Sequence, residues 1–243
     1  TTIGSTLSVG TLNLSSGTLT GSGNVTVNTG FSWSGGVVSG TGAFTVNGVL
    51  TLPGSGIRTL DGRTMVHTNS SGSSSILGVN NAELNLDNGA VFRNAPGAKL
   101  NVALVSGTSF IDYDTGVGAT FDNQGTLTVS GTGVLDASTF SGASGLNFVN
   151  SGQVNVTGGT LLLGSASQQS GGLDVSAGAV AEYRSGTHTI NAGATYTGAG
   201  TLLLSSGTLS AAAAFTTSSG LTFNQTGGTQ TGAGNITLNS PYN

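Results

Sequence analysis

The sequence contains no cysteine. Disulfide scaffolds, Cys-ligated zinc sites, redox motifs and thiol nucleophiles are therefore excluded. Charge is scarce as well. Asp, Glu, Lys and Arg make up 6% of the 243 residues, with 9 acidic against 5 basic side chains and a formal net charge of -4. Soluble domains usually carry about 25% charged residues. Five scattered cations cannot neutralise a phosphate track, so nucleic acid is excluded as a partner. No stretch approaches the ~18 consecutive apolar residues of a spanning helix, so membrane insertion is not expected. Proline occurs 3 times, and tryptophan and methionine once each. Helical periodicity is nearly absent, and its one candidate, Ala211 to Ala214, is too short to stand alone.

What remains is small and polar. Gly (43), Thr (36), Ser (32) and Asn (20) fill more than half of the chain. Such a composition gives disorder when hydrophobicity is low or net charge is high. Neither holds, because 36% of the residues are hydrophobic. They recur as short alternating runs such as Val25-Thr-Val27, Phe44-Thr-Val46, Leu127-Thr-Val129 and Val154-Asn-Val156. Period-two alternation bounded by Gly, Asn or Ser predicts short, half-buried strands.

Internal repeats set the fold. Gly17-Thr-Leu-Thr-Gly21-Ser-Gly23-Asn-Val25-Thr-Val27 aligns with Gly36-Val-Val-Ser-Gly40-Thr-Gly42-Ala-Phe44-Thr-Val46 at an offset of 19. Leu14, Trp33 and Leu52 keep the same period, and the motif returns from Gly228 to Leu238. Thr11–Thr20 and Thr201–Ser210 agree at eight of ten positions. A second repeat fills the middle: Phe121-Asp-Asn123-Gln-Gly125-Thr-Leu127-Thr-Val129 matches Phe148-Val-Asn150-Ser-Gly152-Gln-Val154-Asn-Val156 at an offset of 27. Ala119, Leu146 and Leu173 extend that period to a third copy, and an earlier copy begins at Phe92-Arg-Asn94.

Periods of this length with only short strands predict an all-β, right-handed parallel β-solenoid, or β-helix, as a single domain over residues 1–243. With 19–27 residues per coil, the chain makes roughly 9–12 coils and a rod of about 45–60 Å. Equivalent residues then stack along the axis. Phe92, Phe121 and Phe148 form an inward aromatic column, Asn94, Asn123 and Asn150 form an amide ladder, and Leu14, Trp33 and Leu52 form a third stack. Asn47-Gly48 and Asn88-Gly89 would suit the hairpins of a sandwich, but they do not recur at hairpin spacing. Residues 54–75 break the pattern with Arg58, Asp61, Arg63, Met65, His67 and a Ser-rich run, and read as an irregular loop or looped-out coil.

The Phe-x-Asn-x-Gly-x-Leu-x-Val repeat resembles repeats of large bacterial surface and secreted proteins. So does Arg184-Ser-Gly-Thr-His-Thr-Ile190 followed by Gly193-Ala-Thr-Tyr-Thr-Gly198. It is similar to the β-helical stalks of autotransporter passengers, of filamentous-haemagglutinin-type adhesins and of extracellular fibre proteins. The resemblance implies an extracellular or cell-surface setting and supplies neither ligand nor active site. The chain opens at Thr1 inside a repeat, without a signal-peptide pattern or visible cap, and this reads as a segment of something longer or a stacking subunit.

Few residues are candidates for chemistry. Asp112 and Asp114 share a strand face at about 6.6 Å and are the best carboxylate pair for acid/base work or a lone calcium ion. Asp122 and Asp136 are candidates to join them from neighbouring coils. His188, in Thr187-His-Thr189, reads as an outward strand residue, whereas His67 lies in the irregular segment. No G-x-S-x-G elbow accompanies them. Thr-x-Thr pairs, which form flat ice-binding faces in some solenoids, are irregularly spaced here. Trp33 reads as a core residue. The expected function is a structural rod or fibre segment without enzyme activity, cofactor or resident metal. Its expected partners are copies of itself or adjoining repeats. A glycan- or receptor-binding adhesin module is the second reading, and a polysaccharide-degrading enzyme the third.

Overall fold

The computed structural model describes residues 1–138 and 145–239. Every strand pairing among these residues is parallel, and the strands form a β-solenoid with three faces per coil. The first face starts at Leu7–Val9 and continues through Val25–Val27, Phe44–Val46, Thr64–His67, Val91–Asn94, Ala119–Asn123 and Leu146–Asn150. The second starts at Thr11–Leu14 and runs through Gly30–Trp33, Val49–Thr51, Ser74–Ser75, Lys99–Leu104 and Thr126–Gly131. These two faces merge at the long strands Leu7–Leu14 and Val25–Trp33 into one 18-stranded sheet. The third face is a separate 10-stranded sheet from Thr18–Leu19 to Thr222–Gln225. Ten rungs at the usual parallel spacing make a rod of roughly 43 Å.

Coil length varies along the rod. On the third face Thr18 pairs with Val37, Thr201 with Thr222 and Glu83 with Phe110, so the first of these coils is the shortest and the last the longest. The 27-residue period ends earlier than the repeats predict. Phe148 pairs with Ser167 and Val154 with Leu173, so that coil is as short as the one from Thr18 to Val37. Leu173 therefore stacks on Val154, not on Leu146. Only strand register must be kept between coils, and the corners absorb the difference in length.

Residues 54–75 also depart from expectation, because they are built into the stack. Ile57–Asp61 pairs with rungs on both sides of the third face, Thr64–His67 does so on the first, and Ser74–Ser75 on the second. The two arginines that suggest a loop point inward, while Asp61 stays half-exposed. Arg58 and Arg63 are buried, and each guanidinium donates to corner carbonyls. Arg58 donates to Trp33 O (3.0 Å) and Gly54 O (2.7 Å), and also to the carbonyls of Pro53 and Gly56. Arg63 donates to Gly23 O (2.7 Å) and Ser39 O (2.8 Å) on preceding coils. These bonds offset much of the cost of burying the two cations, although Arg63 Nε has no partner among the described residues.

The core is a set of columns. On the first face, Val25, Phe44, Met65, Phe92, Phe121 and Phe148 stack in register, followed by Ser167, His188 and Leu209. The Phe92 and Phe121 rings lie 5.3 Å apart at 2°, and Phe121 and Phe148 lie 5.4 Å apart at 10°. Burial of each ring stabilises by about 1.5–3 kcal/mol, and each offset stack adds about 0.5–1.5 kcal/mol. Leu14 pairs with Trp33, and Leu52 follows the register set by Ser32 and Thr51. Trp33 is fully buried, stacks on Phe31 at 5.7 Å, and donates its indole N–H to Gly36 O at 3.3 Å. The Thr-x-Thr pairs fall on different faces: Thr126/Thr128 and Thr195/Thr197 on the second, Thr187/Thr189 and Thr229/Thr231 on the first.

His188 points inward, contrary to the outward placement expected from sequence. In Thr187-His-Thr-Ile190 the phase is set by Ile190, which is buried with His188 while the threonines face out. Its Nδ1 lies 2.9 Å from Ser167 Oγ, and its ring packs 4.6 Å from Tyr183. Burial depresses the His188 pKa to about 4, with a smaller opposing effect of the Ser185 backbone. Well above pH 6.5 the residue is neutral in folded and unfolded chains alike and contributes no pH dependence. As pH falls from about 6.5 to about 4, only the unfolded chain takes up this proton, so stability falls by on the order of 3 kcal/mol. Burial pushes Glu83, Asp114 and Asp136 up, and these act in the opposite direction, binding protons more tightly in the fold. The expected result is therefore a difference: the gap in stability between wild type and His188→Leu shifts toward the variant on going from pH 7 to pH 4. Denaturant melts across that range measure it, and a gap independent of pH would contradict a buried neutral imidazole.

Candidate functional site

Two polar assemblies stand out, one inside the rod and one on its third face. The inner one continues the second inward column of the first face. His67, Asn94, Asn123, Asn150 and Gln169 occupy successive rungs, all buried, between Val46 at one end and Ile190 at the other. Asn94 Nδ2 donates to Asn123 Oδ1 at 2.8 Å, and Asn123 Nδ2 donates to Asn150 Oδ1 at 2.7 Å. The same amides reach the next corner, Asn94 to Thr126 O (3.0 Å) and Asn123 to Gln153 O (3.1 Å). His67 closes the row, with Nδ1 2.9 Å from Asn94 Oδ1 and Nε2 2.8 Å from Ser74 Oγ. Burial lowers the His67 pKa, partly offset by the Asn94 bond. Both histidines are thus enclosed in the core, away from any solvent-borne substrate.

The outer assembly begins with Glu83-Leu-Asn-Leu-Asp87. Leu84 and Leu86 enter the core, which turns Glu83, Asn85 and Asp87 outward. The next coil lays Phe110 on Glu83 and Asp112 on Asn85. Carboxylate oxygens of Glu83, Asp112 and Asp114 lie within 4.8 Å of one another. Asn85 Nδ2 donates to Asp114 Oδ2 at 2.6 Å. Asp87 Oδ1 accepts from the Asp114 and Thr115 backbone N–H groups at 2.9 and 3.0 Å, and Asp112 Oδ1 accepts from Tyr113 N–H at 2.7 Å. Asn85 is 3% exposed and Asp112 2%. Burial raises the Glu83 pKa, the Asn85 amide pulls it back, and the Asp114 and Asp87 charges raise it further. Asp114 is raised by burial and by Asp87.

Asp112 and Asp114 are thus brought together, and Glu83, Asn85 and Asp87 join them. Asp136 lies one coil on, opposite Phe110, while Asp122 is on the first face and pairs with Arg93 at 2.8 Å. Glu83 and Asn85 are absent from the candidates drawn from sequence, although the 27-residue period carries Asn85 and Asp87 onto Asp112 and Asp114. Carboxylate oxygens this close differ from an acid/base pair flanking a scissile glycosidic bond, which stands about 5–9.5 Å apart. They can share a proton or hold a hard cation. Comparison with protein-family models, with curated proteins and with solved structures finds no match to this chain.

Proposed function

We propose that this chain is a structural rod, a stalk or fibre segment of an extracellular bacterial surface or secreted protein, and not an enzyme. The observation that carries this reading is the unbroken third face, whose ten strands are paired rung to rung from Thr18–Leu19 to Thr222–Gln225. Its hydrogen bonds run along the rod axis, so separating two rungs breaks the ladders of all three faces together. The Asn row and the Phe column add axial contacts inside. The extracellular setting is supported by the absence of cysteine and by the resemblance of the Phe-x-Asn-x-Gly repeat to surface stalks. Its partners on this reading are copies of itself or adjoining repeats of a longer chain. The adhesin reading places a glycan or receptor on the rod's side or on residues 54–75; that segment is paired inside the stack, and no specific observation favours the side. Electron microscopy of the purified chain over a range of concentrations tests the proposal. Rods about 43 Å long, alone or joined end to end one solenoid wide, are expected. Round or shapeless particles at every concentration would refute it.

A further inference from the structure

We propose that Glu83, Asp112, Asp114 and the amide oxygen of Asn85 form a calcium site that clamps two successive coils of the third face. Calcium binds oxygens at about 2.3–2.6 Å, so two oxygens on one ion lie at most about 5 Å apart. The three carboxylates meet that condition, with oxygens within 4.8 Å of one another.

Asn85 supplies the independent observation. The residue is only 3% exposed, and its Oδ1 has no hydrogen-bond donor among the described residues. The amide is anchored inside the cluster by its Nδ2, which donates to Asp114 at 2.6 Å. Turning the amide over would set Oδ1 against a carboxylate oxygen and lose that bond. The orphaned acceptor thus belongs to a side chain anchored in the acidic cluster. Leaving it unpaired is unfavourable, because a buried acceptor without a donor keeps its full desolvation penalty. A cation at the three carboxylates that also draws in this amide oxygen would remove that cost.

The electrostatics agree. The charges that act on Glu83 are those of Asp114 and Asp87, both negative, and burial sharpens their repulsion. A divalent ion reverses the sign of that interaction. Calcium fits better than magnesium, because its coordination is flexible and accepts amide oxygens. Magnesium demands near-octahedral geometry at about 2.0–2.1 Å and gives up water reluctantly. Glu83 and Asn85 lie on one coil, and Asp112 and Asp114 on the next. The ion would therefore bind between rungs and stiffen the rod there.

The test is calorimetric titration of the EDTA-stripped chain with CaCl2 at about pH 7.5, with thermal melts in parallel. One ion per chain is expected, with an affinity in the range of about 10⁻⁵–10⁻³ M and a melting temperature that rises with calcium. Glu83→Gln and Asp114→Asn should each weaken binding at least about tenfold, the loss expected for one charged oxygen. Asp174→Asn, a carboxylate on the second face that accepts from Thr197, should leave it unchanged. Absence of both heat and melting shift in the wild type up to about 10 mM calcium would overturn the site, whatever the variants do. Binding that survives the Glu83→Gln/Asp114→Asn double variant would place the ion elsewhere. An equal response to MgCl2 would overturn the choice of calcium.

Discussion

Gly131→Ala is expected to destabilise the rod by about 2–5 kcal/mol, a large effect for a single added methyl group. Gly131 ends a second-face strand in register with Leu104 and has φ +94°. A Cβ there would lie 1.9 Å from the Leu104 carbonyl oxygen, which belongs to the backbone of the neighbouring coil. Two costs add. The positive φ strains any L side chain by about 1–2 kcal/mol, and forcing the two backbones apart costs about 1–3 kcal/mol more. Gly178→Ala separates them, because Gly178 has φ +80° but nothing within 4 Å of its added Cβ. Thermal melts of the two variants should differ by several degrees, with Gly131→Ala the lower; a loss of about 1 kcal/mol shifts a chain of this size by about 2–4 °C. Equal melting temperatures would mean that the coils do not approach at the corner as described.

Asn123→Leu is expected to cost about 4–6 kcal/mol, although leucine is apolar and of similar size. Asn123 accepts from Asn94 and donates to Asn150 Oδ1 and Gln153 O. Its removal forfeits those bonds and leaves the fully buried Asn150 Oδ1 without its Asn123 donor. The orphaned acceptor costs about 1–3 kcal/mol and each lost bond about 1 kcal/mol. The double variant Asn123→Leu/Asn150→Leu removes both ends of that bond, so it should lose less than the sum of the two single variants. A thermodynamic cycle built from urea melts gives the coupling, expected at about 1–3 kcal/mol. Strict additivity would mean that the amides stack without exchanging hydrogen bonds.

The parts of this fold that were legible in the sequence are those written as identical residues at a fixed offset. Phe121 and Phe148, and Asn123 and Asn150, stand one repeat apart and pair directly. What period alone does not reveal is the face. Thr11–Thr20 and Thr201–Ser210 are nearly the same sequence, yet Leu12 pairs with Phe31 on the second face and Leu202 with Phe223 on the third. All three faces use the same pattern of a short alternating strand, a glycine corner and another strand, so the pattern fits any of them. Coil length is equally hard to read, because corners take up extra residues without disturbing register. The step from Phe92 to Phe121 is longer than the step from Leu100 to Leu127, although both join the same two coils. Polar residues on the inner face are ambiguous for a different reason. In Thr187-His-Thr189 every residue is polar, and only the neighbouring Ile190 fixes which side faces in. Arg58 and Arg63 read as loop residues because their partners are backbone carbonyls, which leave no trace in side-chain identity.

The acidic cluster was half legible. Asp112 and Asp114 sit close together in the chain and can be paired from sequence alone. Glu83 reaches them because the coil that follows it returns in register, with Phe110 beside Glu83 and Asp112 beside Asn85. Asn85 matters because its amide oxygen is left without a donor among the described residues. The first is a register and the second an orientation, and neither is visible before the chain is folded.

Paired spin labels test the central claim, a straight stack of parallel rungs, most directly. The chain has no cysteine, so introduced cysteines are labelled uniquely. Thr45, Val66, Arg93, Asp122, Val149, Gln168 and Thr189 follow one another in register along the outer side of the first face. Labels at Thr45→Cys and Val149→Cys span four rungs and should lie about 19 Å apart. Labels at Thr45→Cys and Thr189→Cys span six and should lie about 29 Å apart, and both pairs should give narrow distributions. A separation that grows by about 4.8 Å per rung is the result a stiff solenoid requires. Equal separations for the two pairs, or broad distributions that overlap, would contradict it.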